Sequence, residues 1–116
     1  PWACSVLVLG LGGGDLAKIL DKLRPDWTTV FVELEAEVVK VAEKYFGIGT
    51  TSKRDIVVSD ARIFMERNRK SYDLIIVDLY SGDDVPKFVS SDKFLREIAR
   101  GLEPGGKVIF NLGMHL

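Results

Sequence analysis

Short apolar runs alternate with amphipathic segments along the whole chain. Five of these runs predict buried β-strands, at residues 6–9, 28–33, 56–58, 73–78 and 108–110. Unbroken apolar runs are typical of strands that are covered on both faces, as in a parallel sheet. The chain therefore carries the strands of an α/β fold, provided that helices lie between them.

Apolar residues at helical spacing do occur between these strands. The first predicted helix has an apolar stripe that ends before Pro25 and consists of Leu16, Ile19, Leu20 and Leu23. The second stripe ends at Gly47 and consists of Val38, Val41, Ala42, Tyr45 and Phe46. A third helix is predicted from residue 61 to about residue 68, with Phe64 and Met65 facing inward. A fourth helix carries Phe94, Leu95, Ile98 and Leu102 on one face. We expect all four helices to pack on the sheet.

Turn residues separate the predicted elements. Residues 49–54 and 79–90 are predicted loops, and Pro104, Gly105 and Gly106 predict a turn before the fifth strand. Five strands joined by right-handed helical crossovers predict an open, doubly wound α/β sheet with helices on both faces. We expect residues 1–116 to form one domain.

Composition narrows the class of protein. The chain has 116 residues, is 47% apolar and 28% charged, and its formal net charge is −1. This charge gives no reason to expect nucleic acid or an anionic membrane as a partner. The one cysteine, Cys4, cannot form an internal disulfide, and it is expected to be a buried or strand-edge residue. The sequence shows no leader or long apolar span, so we expect a reducing, cytoplasmic setting.

The first strand runs directly into a glycine-rich turn. Gly10, Gly12 and Gly14 let the backbone turn sharply and approach a ligand closely, which is how nucleotide-like cofactors are held. Asp15 stands where a dinucleotide-binding fingerprint would have its third glycine. The motif therefore favours an adenosyl cofactor without a pyrophosphate over a nicotinamide dinucleotide, although a purely structural turn is the alternative.

Acidic residues follow four of the predicted strands. Asp15, Glu33, Asp60 and Asp78 come at the carboxyl ends of the first four strands, where ligands bind in open α/β sheets. Each also has a structural interpretation, because Asp15 and Asp60 are good helix N-cap residues, Glu33 can simply face solvent, and Asp78 can cap a turn. Together they predict one acidic rim around a ligand.

The rim suits an adenosyl ligand. A carboxylate at Glu33 can accept hydrogen bonds from both hydroxyls of a ribose, as in dinucleotide-binding folds. Asp60 can accept from the adenine amino group while the backbone at Ala61 donates to the ring. Asp78 is expected near the reactive sulfonium end. The sequence shows no metal-ligand spacing and no nucleophilic triad, so no metal is expected.

Five motifs in this order resemble the S-adenosylmethionine-dependent class I methyltransferase fold and, within it, the spermidine synthase family and its methyltransferase-like relatives. The motifs are the glycine turn with its strand at residues 6–14, residues 32–35 with residues 38–46, residues 59–62, residues 72–78, and residues 102–106. The resemblance implies a Rossmann-like, mainly parallel sheet of strand order 3-2-1-4-5 that lacks the last two strands of the full fold.

The resemblance also implies roles for single residues. Glu33 would bind the cofactor ribose, with Leu34 beside it among the cofactor-binding residues. Asp60 and Ala61 would lie at the adenine. The glycine turn, with Gly10, Gly12 and Gly14, would lie beside the amino-acid portion of the cofactor. Asp78 would lie at the reaction centre, as both a cofactor-binding and a catalytic residue.

Two positions depart from the aminopropyltransferase pattern of this family. Those enzymes have an acid where this chain has Gly13, and a second acid where it has Ser81. A polyamine cation in a dry site needs paired carboxylates, whereas S-adenosylmethionine carries a carboxylate of its own. We therefore expect a methyltransferase that uses S-adenosylmethionine, with an unidentified methyl acceptor. Aminopropyl transfer and a non-catalytic interaction module are the alternatives.

Several smaller expectations complete the prediction. If the protein ends at Leu116, its fifth strand is an apolar sheet edge, so we expect a second copy, another chain or further sequence to cover it. Asp83, Asp84 and Pro86 mark a loop that either forms a lid or is a solvated turn. Trp2 and Trp27 are expected to be packing residues, and His115 is expected to be a surface residue.

Overall fold

The computed structural model describes residues 4–12, 14–80 and 84–111. Its elements, in chain order, are β1 (Ser5–Leu9), α1 (Asp15–Leu23), β2 (Thr28–Glu33), α2 (Ala36–Phe46), β3 (Arg54–Val58), α3 (Ala61–Arg67), β4 (Tyr72–Val77), a 3-10 helix (Lys87–Ser90), α4 (Asp92–Arg100) and β5 (Leu102–Phe110). The strands form one parallel sheet of order β3-β2-β1-β4-β5. The predicted doubly wound α/β architecture and strand order are confirmed.

Strand β1 lies at the centre of the sheet and is buried on both faces. Leu7 pairs with Val30 of β2 on one side and with Ile75 of β4 on the other. Leu7 and Leu9 point into a core beneath α3 and α4, while Val6 and Val8 point into a second core beneath α1 and α2. This two-sided burial explains the unbroken apolar run in the sequence.

The apolar stripes of α1 and α2 are only partly buried, contrary to the prediction. Leu23 is 60% exposed and Tyr45 is 67% exposed, and Ile19, Val41 and Phe46 are also exposed. The closest packing of these helices on the sheet is made by small residues, Ala17 and Ala42, each 1% exposed. Because an alanine brings a helix axis close to the sheet, the larger side chains on either flank of it extend past the core.

The fourth helix and the fifth strand meet at a different residue from the one predicted. Helix α4 ends at Arg100, and the backbone N–H of Gly101 donates to the carbonyls of Glu97 and Ile98. Leu102 is the first residue of β5 and pairs with Tyr72 of β4, so its predicted place on the helix face is wrong. Leu95, predicted on the same face, is 39% exposed, whereas Phe94 and Ile98 are buried. The helix therefore ends two residues before the apolar spacing does.

The predicted turn at Pro104, Gly105 and Gly106 lies inside β5. The register between β4 and β5 shifts between the pairs Tyr72–Leu102 and Leu74–Lys107, and Gly105 there has a φ of 80°. Strand β5 is an outer strand of the described sheet, and Ile109 on it is 53% exposed. That another chain or further sequence covers this edge stays a prediction.

A buried arginine starts β3, two residues earlier than the sequence predicted. Arg54 is 4% exposed, and its Nη1 lies 2.8 Å from both carboxylate oxygens of Asp21 on α1. Its Nε donates to the carbonyl of Gly49 at 2.9 Å. These bonds satisfy a cation that would otherwise be costly to bury, and they fasten α1 to the edge of the sheet.

The part of the chain that the structure describes shows neither a membrane-spanning helix nor a cluster of metal ligands. No helix in the described part of the chain is long and apolar enough to cross a membrane. Within the described ranges, no group of three or more His, Cys, Asp or Glu side chains is arranged to hold a metal ion.

Candidate functional site

A cavity of about 490 Å³ lies where the strands β1, β2, β3 and β4 end. Its size is in the range of pockets that bind cofactors and drug-sized ligands. The predicted site residues that line it are Gly10, Gly12, Glu33, Leu34, Asp60, Ala61 and Asp78. The carboxyl ends of the parallel strands therefore bring these separate motifs together, as the doubly wound topology requires.

Gly10 and Gly12 face the cavity for different reasons. Gly10 has a φ of 109°, and a Cβ atom there would lie 2.1 Å from the backbone oxygen of Asp78. A side chain is therefore excluded by the end of β4 itself. Gly12 has a φ of 55°, with no atom within 4 Å of the same position, so the chain leaves its Cα open to the cavity.

Gly14 and Asp15 do not line the cavity. A Cβ atom on Gly14 would lie 2.8 Å from Cγ1 of Ile48, so packing alone accounts for this glycine; its cofactor role stays a prediction. Asp15 is exposed and is the first residue of α1, where its charge suits the helix N-terminus. The prediction that all four strand-end acids share one rim is wrong for Asp15, because the glycine turn carries it past the cavity.

The carboxylate of Glu33 is held at the cavity by two backbone amides. Its Oε1 accepts from the N–H of Leu11 in the glycine turn at 3.1 Å, and its Oε2 accepts from the N–H of Glu35 at 3.0 Å. Each oxygen keeps further acceptor capacity, because a carboxylate has about four lone-pair sites. The two oxygens are thus fixed side by side and remain able to accept hydrogen bonds from a diol.

Asp60 caps α3 and binds a neighbouring arginine. Its Oδ1 accepts from the backbone N–H of Arg62 at 2.7 Å, which confirms the N-cap interpretation, and its Oδ2 accepts from Nη2 of Arg62 at 3.0 Å. The Arg62 side chain lowers the pKa of Asp60 below its ordinary value. Since three N–H groups already use the carboxylate, counting the Arg62 Nε at 3.3 Å, about one acceptor site is left for a ligand.

The guanidinium of Arg62 also stacks on an aromatic residue of the 3-10 helix. It lies 5.0 Å from the ring centroid of Phe88, which in turn packs edge-on against Phe94. Phe88 and Pro86 line the cavity. The loop predicted as a lid or as a solvated turn therefore forms a wall of the site at Pro86 and Phe88, while Asp84 is exposed.

Asp78 lies at the end of β4 and contacts the end of β5. Its Oδ1 accepts from Nδ2 of Asn111 at 3.0 Å, and the phenol oxygen of Tyr80 lies 3.5 Å from the backbone oxygen of Asn111. Burial, and then the charge of Asp78, raise the pKa of the Tyr80 phenol. Tyr80 therefore keeps its proton at neutral pH and contributes a neutral polar wall.

Sequence reasoning missed several residues of this site, and four of them have side chains that matter to its chemistry. Arg62, Phe88 and Tyr80 line the cavity, and Asn111 bonds to Asp78. The alternation of strands and loops signals that positions after a strand face the site, and this rule would have found Tyr80 and Asn111. No local pattern signals that Phe88 turns inward. The predictions that concern Trp2, Gly13, Ser81, Asp83 and His115 fall outside the described residues.

Comparison with known proteins decides the family. The model of the spermine/spermidine synthase domain matches residues 4–113. This chain belongs to the spermine/spermidine synthase family. The predicted membership is confirmed.

Curated proteins that are similar to this chain have two kinds of name. A polyamine aminopropyltransferase of Vibrio vulnificus is 29% identical over 109 residues, which are 91% of this chain and 36% of that protein. The eEF1A lysine and N-terminal methyltransferase homolog of Drosophila melanogaster is 31% identical over 117 residues, which are 93% of this chain and 17% of that protein. The chain thus spans well under half the length of these relatives.

A solved structure supports the fold. Human methyltransferase-like protein 13, crystallised in complex with SAH, superposes with a TM-score of 0.85 over 92% of this chain and 53% of its own, at 24% sequence identity. The predicted methyltransferase-like fold of the present chain is confirmed. The names of its relatives refer to two different reactions, aminopropyl transfer and methyl transfer.

Proposed function

We propose that this chain binds S-adenosylmethionine in the cavity and transfers its methyl group to a nitrogen or oxygen acceptor. The observation that carries the proposal is the Glu33 carboxylate, held by the amides of Leu11 and Glu35 beside the open Gly12. A fixed carboxylate with free acceptor sites at the end of β2 fits the vicinal hydroxyls of a ribose.

The remaining cavity residues fit the other parts of such a ligand. Asp60 has about one acceptor site left, which suits one N–H of the adenine amino group, and the backbone at Ala61 lies next to it for the ring. Leu34 and Phe88 add apolar wall on which an aromatic base can pack. Asp78, which follows β4 on the other side of β1, is left for the reacting end.

The wall beyond Asp78 favours methyl transfer over aminopropyl transfer. Leu79 and Tyr80 follow Asp78 in the cavity lining, and Tyr80 is a neutral phenol at physiological pH. A decarboxylated cofactor with a diamine brings extra positive charge, which needs further carboxylates when it is desolvated. The methionine part of S-adenosylmethionine carries both charges itself and makes no such demand.

The bound cofactor would supply an electrophilic methyl group on a positively charged sulfur. This chain's residues would bind the adenosine at Glu33 and Asp60 and hold the acceptor in line with the C–S bond, which breaks as the acceptor's lone pair forms the new bond to carbon. Asp78 would orient the acceptor through a hydrogen bond and accept the proton that the methylated atom loses. Positioning thus accounts for most of the proposed catalysis.

Isothermal titration of the chain with S-adenosylmethionine tests this function. We expect binding, and we expect Glu33→Gln to weaken it on the order of 10- to 100-fold, because hydrogen bonds to a charged group are lost. Glu103→Gln is the matched control, since Glu103 is exposed in β5 and does not line the cavity. No binding to folded protein at millimolar ligand would refute the proposal.

The same titration separates the alternatives. Tighter binding of decarboxylated S-adenosylmethionine than of S-adenosylmethionine would favour aminopropyl transfer. A non-catalytic interaction module predicts that Glu33→Gln and Asp78→Asn leave partner binding unchanged. The proposed enzyme predicts loss of cofactor affinity for Glu33→Gln and loss of turnover for Asp78→Asn.

A further inference from the structure

The ends of β4 and β5 fix two side chains next to each other. Val77 pairs with Phe110 as the last pair of these strands. Beyond it, the backbone N–H of Asn111 donates to the carbonyl of Val77 at 2.9 Å, and that of Asp78 donates to the carbonyl of Leu9 at 2.9 Å. The backbones that carry Asp78 and Asn111 are therefore both held by the parallel sheet.

The side-chain contact between them has a defined direction. Nδ2 of Asn111 donates to Oδ1 of Asp78 at 3.0 Å. An ionised carboxylate only accepts hydrogen bonds, so the amide nitrogen and not the amide oxygen must face it. Asn111 thus restrains the rotation of the Asp78 carboxylate about its last side-chain bond.

The second carboxylate oxygen of Asp78 is left for a ligand. Asp78 lines the cavity, and its Oδ2 has no hydrogen-bond partner among the residues that the structure describes. The described lining holds four carboxylates, those of Glu33, Glu35, Asp60 and Asp78, against one guanidinium, and that guanidinium is bound to Asp60. A carboxylate oxygen without a partner in the described lining favours a ligand group that donates a hydrogen bond and carries positive charge.

We propose that Asn111 is a positioning residue, which fixes one oxygen of Asp78 so that the other accepts a hydrogen bond from an amine acceptor. The inference rests on the proposed function and narrows its acceptor to the amine class. Asn111 itself touches neither cofactor nor acceptor in this role. It acts only through the orientation of Asp78, so its loss removes amine recognition and leaves adenosyl binding intact.

A pair of bisubstrate probes measures amine recognition without a known acceptor. Both are S-adenosylhomocysteine analogues in which nitrogen replaces sulfur. One carries an aminoethyl arm, and the other carries a hydroxyethyl arm of the same length. We expect the chain to bind the aminoethyl probe about 10-fold more tightly, since a hydrogen bond between two charged groups is gained.

Substitutions at Asn111 then test the positioning role. Asn111→Leu keeps the size of the side chain without its donor, and we expect it to abolish the preference for the aminoethyl probe while the Kd for S-adenosylhomocysteine changes less than about twofold. Asn111→Gln retains an amide donor at an exposed strand end and is expected to recover part of the preference. The double variant Asp78→Asn with Asn111→Leu should lose no more of the preference for the aminoethyl probe than Asp78→Asn alone.

The outcomes separate this inference from the proposed function. A preference that survives in folded Asn111→Leu overturns the positioning role, and so does equal binding of both probes by the unaltered chain that still binds S-adenosylhomocysteine. Failure of the unaltered chain to bind S-adenosylhomocysteine would instead refute the proposed function, and this inference with it.

Discussion

A Cβ atom on Gly10 would lie 2.1 Å from the backbone oxygen of Asp78, far inside the distance at which non-bonded carbon and oxygen atoms meet. The glycine turn after β1 and the end of β4 are therefore packed backbone against backbone. One glycine thus fixes the place of the proposed catalytic acid, independently of any contact with a ligand.

Gly10→Ala should destabilise the protein by at least ~2 kcal/mol, because both the positive φ and the contact with Asp78 oppose a side chain. Gly12→Ala is the matched control, with a positive φ but open space, and its cost should stay near 1 kcal/mol. Urea denaturation of both variants measures the difference. Equal losses of unfolding free energy would show that the Asp78 contact is unimportant.

Asp21→Ala should cost about 2 kcal/mol of stability although Asp21 itself is largely exposed. The substitution leaves the Arg54 guanidinium, 4% exposed, with the carbonyl of Gly49 as its remaining hydrogen-bond partner. Breaking a fully buried ion pair costs about 3–5 kcal/mol, and the exposure of Asp21 reduces this figure. Thermal unfolding measures the loss of stability of Asp21→Ala, with Asp26→Ala in the following turn as a control. Similar melting temperatures for the two variants would contradict the prediction.

The Asp60–Arg62 pair should stabilise the fold at neutral pH and lose its effect in acid. The Arg62 side chain is the main cause that holds the pKa of Asp60 below its ordinary value, so Asp60 binds protons less readily in the folded chain than in the unfolded one. The stabilisation is then complete above the unfolded pKa and is lost as the pH falls through the folded pKa. The difference in unfolding free energy between the unaltered chain and Arg62→Met should follow this course.

Carboxyl NMR titration provides the direct measurement for this pair. Asp60 should titrate at higher pH in Arg62→Met than in the unaltered chain. Lys93→Met is the control, because Lys93 is the main cause of the lowered pKa of Glu66 on the same helix and is not among the causes for Asp60. An unchanged Asp60 titration in Arg62→Met would refute the assignment.

Much of the fold was predictable because its signals are local. The apolar run of β1 reports burial on both faces, and Gly47 with a φ of 68° ends α2 where the sequence placed its end. The end of α4 was not predictable from spacing, since Leu102 continues the helical pattern past Gly101 but pairs with Tyr72 instead. Apolar spacing alone does not show which of two competing partners an end residue will take.

The sequence by itself determined the sheet, the glycine turn and the acids at the strand ends, because these depend on residue type and short spacing. That Glu33, Asp60 and Asp78 share a cavity follows from the parallel strands, all of which end at one edge. Only the tertiary structure decided that Asp15 lies outside this cavity. It also decided that Asn111 holds Asp78 across 33 positions, because that contact depends on the register of β5 against β4.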